Sequence, residues 1–238
     1  NGLVYIRGQR EDFDGWAAQG NPGWSYAGLL PYFRKSERQA RGLDAFHGAD
    51  GPMWVSDLSE HHPLCEAFIG SARRLGMPLN PDFNGERQEG VGYFQLTTRR
   101  GLRSSPASAY LCPARARTNL AVSVRALARR VLFRDRRAIG VEFETGGEVR
   151  QARARREVLL CGGAINSPQL LMLSGIGDAA RLARFGIASV AHLPGVGRNL
   201  QDHLQARVVR KAKRPITYND VFGNPLRTLI AGLQWALL

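Results

Sequence analysis

Cysteine is scarce and scattered in this chain. Cys65, Cys112 and Cys161 form no C-x-x-C pair and no metal-ligand spacing. That excludes a disulfide framework and a zinc site, so the expectation is no metal and a reducing, cytoplasmic setting. No run of about 18 apolar residues exists, which excludes a transmembrane helix. Internal repeats and low-complexity tracts are missing. No serine sits in a G-x-S-x-G elbow, so a hydrolase triad has no starting point. Lysine is nearly absent too, occurring only at Lys35, Lys211 and Lys213, so arginine carries almost all of the positive side of a net charge of +13. Those arginines are scattered, and the densest stretch, Arg125 to Arg156, alternates with apolar residues. It reads as the outer faces of strands rather than a nucleic-acid patch, and a basic nucleic-acid-binding module is kept as an alternative. Nor does the chain open with methionine; it begins "NGLVYIRG" and is read as an internal piece of a longer polypeptide.

What is present is an ordinary globular composition, 44% hydrophobic and 22% charged over 238 residues. Two short amphipathic helices are expected first, Glu11 to Gln19 and Ala27 to Glu37, the second capped by Ser25. Trp24, Tyr26, Tyr32 and Phe33 are read as core contacts rather than base-stacking platforms. Arg41 to Pro52 is polar and glycine-rich, the composition of a surface excursion. Pro63 opens a third helix, with Leu64, Phe68, Ile69 and Leu75 at helical spacing and Gly76 to end it. Asn80 to Gly92 is a long loop.

From Asn119 the period changes. "NLAVSV", "RRVLF", "AIGVEFE" and "EVRQARARREVLL" predict a strand and a three-stranded meander, with hairpin glycines at Gly146 and Gly147. The last strand turns apolar at Val158 to Cys161, as a strand buried on both faces of a parallel sheet does. A helix from Pro168 to Ser174 follows, then Ala179 to Phe185 capped by Asp178, strands at "IASVAHL" and "LQARVVRKAK", and an apolar helix from Asn224 to Leu238. The fold class is mixed α/β, in keeping with a dinucleotide-binding domain carrying insertions.

"GIGDAA", Gly175 to Ala180, fits the spelling of the dinucleotide fingerprint but follows a helix. The phosphate-binding form requires a strand before its first glycine, so Gly175 is read as a helix-terminating glycine. Gly162 and Gly163 have the right context at the end of an apolar run. They could aim unpaired N–H groups at an anionic cofactor, or only let strand and helix pack closely, and spacing leaves both open. His47, His61, His62, His192 and His203 lack metal-ligand spacing and are read as surface or structural histidines.

Several motifs together carry a resemblance. "NGLVYIRGQREDFDGWAAQGNPGWSYAGLLPYFRKSE", "FHGADGPMWV", "LNPDFNGERQEGVG", "RSSPASAYL", "GAINSPQLLMLSGIG" and "LPGVGRNLQDHL" occur in order and span essentially the whole chain. The sequence resembles the glucose-methanol-choline (GMC) oxidoreductase family, in its choline and alcohol dehydrogenase-like branch. The resemblance implies a flavoprotein that holds FAD in a Rossmann-like domain and oxidises the CH–OH group of a small-molecule alcohol, with the electron acceptor left open. It implies that the family's phosphate fingerprint lies upstream of Asn1 and its catalytic histidine downstream of Leu238. No residue here is therefore assigned as catalytic, and the piece alone is expected to be inactive. What it carries over is cofactor contact at Asn1, Gly2, Leu3 and Val4, at Ala128, whose backbone would meet the adenine, and at Gly162, Gly163 and Ala164. It further implies two interleaved domains: 1–60 and 101–210 on the FAD side, 61–100 and 211–238 in an antiparallel-sheet substrate domain.

Overall fold

Helix α1 (Arg10–Ala18) begins where the Gln9 N–H donates to Asp12 Oδ2 at 2.9 Å, and Glu11 and Asp12 place negative charge at its positive end. The computed structural model describes residues 2–237, and the chain separates into two units that divide between Val122 and Ser123. In the first unit α2 (Tyr26–Ser36) starts as its sequence predicts, with Ser25 Oγ accepting from the Gly28 N–H at 3.2 Å. Phe13 is the aromatic centre of this helical pair, its ring 5.3 Å from Trp16 and 5.5 Å from Phe33. Tyr26 is buried beside it, whereas Trp24 and Tyr32 are exposed, contrary to expectation.

Strands β1 (Glu37–Gln39) and β2 (Met53–Val55) pair in parallel. Pro63 opens α3 (Pro63–Arg74), and the His62 ring caps it by accepting from the Leu64 N–H at 3.1 Å. Ile69 and Ala72 bury against Val91, with Tyr93 packed alongside, while Leu64, Phe68 and Leu75 stay exposed. Two short strands, β3 (Thr98–Arg99) and β4 (Leu102–Arg103), form a hairpin before a π-helical turn (Ala107–Leu111) that runs into α4 (Cys112–Ala114).

The stretch from Arg41 to Pro52 is not a surface excursion. It folds back over β1, so that Gly48 lies against the Arg34 carbonyl with no room for a side chain, and it delivers His47 to the interior. Glu37, with no exposed surface, is ion-paired to Arg7 Nη2 and lies 3.0 Å from His47 Nδ1. His47 Nε2 meets Asp82 Oδ2 at 2.8 Å on its other side. Gln39 and Gln95 exchange amide hydrogen bonds of 2.8 and 3.0 Å, and Gln95 also donates to Asp57, which Arg41 grips bidentately at 2.7 and 2.9 Å. Burial opposes the charged form of His47, but the bonds to Asp82 and Glu37 outweigh it and push its pKa up to about 9. Arg41 holds Asp57 below the usual carboxylate range; burial would raise Asp82, and His47, the Asn84 N–H and Arg41 together more than reverse that.

In the second unit β5 (Leu127–Arg134), β6 (Arg137–Thr145) and β7 (Glu148–Arg153) make the antiparallel meander, and the hairpin at Gly146 and Gly147 is where the sequence places it. Its arginines pair with their own sheet: Arg130 with Glu142 at 3.0 Å, Arg129 with Glu144 at 3.8 Å, Arg150 with Glu148 at 2.9 Å. β7 stops at Arg153, however. The apolar run Val158 to Cys161 has no ladder partner among the described residues, and Leu159 is exposed. Apolarity reports that side chains seek cover, not that a neighbouring strand is supplied. The same correction applies to "NLAVSV" and "LQARVVRKAK", which form no strand, and "IASVAHL" contracts to β9 (Ala191–His192) beside β8 (Ile176–Gly177).

Helix α5 spans Gly163–Leu173, starting five residues before the expected Pro168. Pro168 is its sixth residue, past the first turn, so it leaves the Ala164 carbonyl without its i→i−4 donor. Asp178 caps α6 (Ala179–Ala183) as expected, accepting from the Arg181 N–H at 3.1 Å, and Gly175 with φ 86° ends α5, which removes "GIGDAA" as a phosphate loop. The chain closes with α7 (Tyr218–Phe222) and α8 (Pro225–Leu237). α5 is tied to the meander by Ser174, whose Oγ accepts from the Val131 N–H at 2.8 Å and donates to the Leu170 carbonyl.

Two predictions follow from these attachments. Ser174→Ala strands a buried N–H at Val131 and should cost about 1–3 kcal/mol in urea unfolding of the second unit; an unchanged midpoint would remove Ser174 as the tie. In the first unit the raised His47 pKa means a contribution fully present below pH 6.5 and lost as pH rises through about 9. It is of the order of 3 kcal/mol. Asp57 and Asp82 act with the opposite sign, their contribution present above pH 3.8 and lost as pH falls through their depressed values. Urea midpoints should therefore be highest in mildly acidic solution and fall towards pH 9; a rise between pH 7 and 9 contradicts the network.

Candidate functional site

In the first unit the segment from Gly2 to Tyr5 is a strand edge. The Tyr5 N–H donates to the Gln95 carbonyl at 2.8 Å, and the Leu3 carbonyl accepts from both the Thr97 N–H at 2.8 Å and its Oγ1 at 3.1 Å. Val4 and Leu96 face each other as a bridged antiparallel pair between those bonds. In such a pair the central residue turns its own N–H and C=O to the opposite edge. Leu96 spends its groups on Ser56, each bond 2.9 Å long. The main-chain N–H and C=O of Val4 have no partner among the described residues, and the side chain is 39% exposed. Leu3 holds a left-handed φ of 72°, an uncommon conformation for a branched residue and one often met at ligand sites. Gly2 is exposed beside it; Asn1 lies outside the described residues.

In the second unit a cleft of about 420 Å³ lies between the meander, the 158–162 segment and α5. Leu127, Ala128 and Val141 form one wall, Leu170 and Leu173 the other, and Asn166, Ser167 and Gln169 supply polar groups. Ala128 stands at a β-bulge, where the pairing with β6 jumps from Ala128 to Arg130. A bulge leaves ladder groups unpaired, which suits recognition through the backbone. The Gly162 N–H donates to Ser167 Oγ at 3.0 Å, and a Cβ on Gly162 would come within 3.1 Å of Asn166 and 3.2 Å of Ser167. Gly163 faces open space but has φ 82°, which only glycine adopts without strain. Each glycine thus has a local reason, and Gly162 also lines the cleft.

The structure therefore brings Ala128 and Gly162 into one cavity. Gly163 and Ala164 open α5 beside it without lining it, and Gly2, Leu3 and Val4 belong to the other unit. Four of the five histidines have contacts of their own. His47 is locked in the buried network, His61 stacks on Tyr93 at 4.2 Å, His62 caps α3 and His192 accepts from the Ala179 N–H at 3.1 Å. Among the described residues no group of three His, Cys, Asp or Glu side chains could hold a metal, and no helix is long and apolar enough to cross a membrane. Sequence reasoning missed the network that holds the Val4 edge. The usable signal was Glu37 and Gln39 two apart, one polar face of a strand.

Comparison with known proteins identifies the family. The GMC oxidoreductase family model matches residues 1–205. Mitochondrial choline dehydrogenase from Homo sapiens is 49% identical over 235 residues, covering 99% of this chain and 39% of that protein. Oxygen-dependent choline dehydrogenase from Photobacterium profundum is 45% identical over 239 residues, covering 100% of this chain and 42% of the relative. The chain spans about two fifths of the length of the curated relatives it matches. Among solved structures, pyridoxine 4-oxidase from Mesorbium loti superposes with a TM-score of 0.76 at 31% identity, covering 82% of this chain and 38% of that one. An FAD-dependent oxidoreductase from Chaetomium thermophilum gives a TM-score of 0.76 at 31% identity over 82% of this chain and 36% of its own. With a family match over most of its length and a mixed α/β fold shared with flavoenzymes, the chain belongs to the GMC oxidoreductase family.

Proposed function

We propose that this chain is a cofactor-binding portion of an FAD-dependent oxidoreductase that oxidises the CH–OH group of a small alcohol, in the manner of the choline dehydrogenases it is similar to. The observation that carries the proposal is the open main-chain edge at Val4, in a segment held rigid by Gln95 and Thr97. Bound FAD would supply the hydride acceptor for the alcohol carbon. The residues present fit that group. In the first unit Val4 offers one N–H and one C=O without side-chain demands, and Gly2 leaves room for a planar ring; in the second unit Leu127, Leu170 and Leu173 give an apolar lining beside Ala128. Gly162 belongs to the same wall, with the Gly163–Ala164 helix start behind it. On this reading 1–60 and 101–210 serve the flavin and 61–100 and 211–238 the substrate. Three exposed free thiols, Cys65, Cys112 and Cys161, favour a reducing compartment such as the cytoplasm. The arginines of the meander, paired to their own strands, speak for a small-molecule enzyme over a nucleic-acid partner.

The test is the visible spectrum of the native polypeptide that carries this chain, purified without added flavin. A bound flavin band is expected, released on denaturation. Ala128→Trp, which fills the cleft from an exposed strand position, should abolish retention while leaving far-ultraviolet circular dichroism unchanged. Gly162→Ala should weaken retention by about tenfold, since its Cβ forces Asn166 and Ser167 aside by tenths of an ångström at the lining of the cleft. A native polypeptide that neither carries nor takes up flavin would refute the proposal.

A further inference from the structure

We infer that His47 is a positioning residue for the Val4 edge: its imidazolium clamps two hydrogen-bonded paths that end on the two main-chain groups of Tyr5. The first path runs from His47 Nε2 to Asp82 Oδ2 at 2.8 Å, and from Asp82 Oδ1 to the Asn84 N–H at 2.9 Å. The Asn84 amide then donates to the Tyr5 carbonyl at 3.0 Å and accepts from the Arg7 N–H at 2.7 Å. The second path runs from His47 Nδ1 to Glu37 Oε1 at 3.0 Å, from the same oxygen to Gln39 Nε2 at 3.2 Å, and through the paired amides to Gln95. The Gln95 carbonyl takes the Tyr5 N–H at 2.8 Å. Tyr5 is covalently next to Val4, so both ends of the clamp fix the peptide that carries the open edge.

Only the protonated ring donates from both nitrogens; a neutral imidazole donates from one and accepts at the other. Loss of the proton therefore turns a lone pair towards either Glu37 or Asp82 and releases one path. The charges facing His47 are those two carboxylates, with Arg7 on the far side of Glu37 and Arg41 acting on Asp82. Two cations and two carboxylates, Arg7, His47, Glu37 and Asp82, balance only while the ring is charged. The ring pKa of about 9 keeps the clamp closed at neutral pH and opens it above.

The inference rests on the reading of Val4 as a flavin contact, and two readouts on the native polypeptide separate the two. Flavin retention of the wild type should fall as pH rises through about 9. In His47→Gln it should be about tenfold weaker at pH 7, the size of a lost charge-assisted bond, and the alkaline fall should vanish. Asp82→Asn keeps a hydrogen-bonding side chain but removes charge, so it should move the alkaline midpoint down by about 1–2 units. Amide exchange at Tyr5, followed at pH 7, should speed up about tenfold in His47→Gln, because its partner Gln95 is no longer fixed. Ile69→Ala, which weakens the core elsewhere in this unit, should leave the midpoint where it is. An alkaline fall through about pH 9 that persists in His47→Gln, or an unmoved midpoint in Asp82→Asn, overturns the clamp; Tyr5, whose own pKa burial raises, would titrate at higher pH than this. A wild type without flavin would refute the Val4 contact, and Tyr5 exchange would then still decide for or against the clamp.

Discussion

A carboxylate with no exposed surface is tolerable only if charge and hydrogen bonds replace its lost water, and Glu37 has both. Arg7 comes from the segment before α1 and His47 from the folded-back glycine-rich stretch, while Gln39 and the Gly48 N–H complete the shell. Every one of those partners is remote in sequence from at least one other. Burying Glu37 therefore requires the whole first unit to be in register, and removing any partner leaves a charge uncompensated. The network is a specificity device as much as a stabilising one. The apolar core of this unit is small, with Ile69, Ala72 and Val91 at its centre, and would tolerate several arrangements by itself.

This explains which parts of the fold the sequence revealed. The starts of α2, α3 and α6 depend on Ser25, His62 and Asp178 bonding within three residues of themselves, with Pro63 at the first position of α3, so local spacing was enough. The meander was legible because its turns are short and its strands pair with their chain neighbours. Val158 to Cys161 was misread for the converse reason. Its apolarity is local, but strand structure is a property of the pair, and no described residue offers the other half. His47 was read as a surface or structural histidine, and its burial was invisible because Glu37 and Asp82 reach it from 10 and 35 residues away, and the flanking glycines imitate a surface loop.

The candidate site follows the same division. Gly162 and Gly163 were noticed as a pair, but the structure gives them different tasks, one for close approach to Ser167 and one for a left-handed turn. Ala128 could be placed only by resemblance, since alanine on a strand carries no chemical signal. Its distinguishing property is the bulge beside it, which arises from pairing with β6 rather than from its own side chain.

Recognition through the main chain also shapes what the first unit has to supply. An N–H and a C=O at Val4 are chemically identical to those of any other residue, so selectivity must come from where they are held. Position is costly to fix at a strand edge, where one side is unpaired by definition. The structure meets that demand from the other side: Thr97 takes the Leu3 carbonyl twice, holding a left-handed residue in place, and Tyr5 is caught at both its N–H and its C=O. The open edge is thus flanked by two fixed residues. The rigidity of the Tyr5 flank traces back through Gln95 and Asn84 to the charges around Glu37, so burial of one carboxylate and exposure of one peptide edge are parts of the same arrangement.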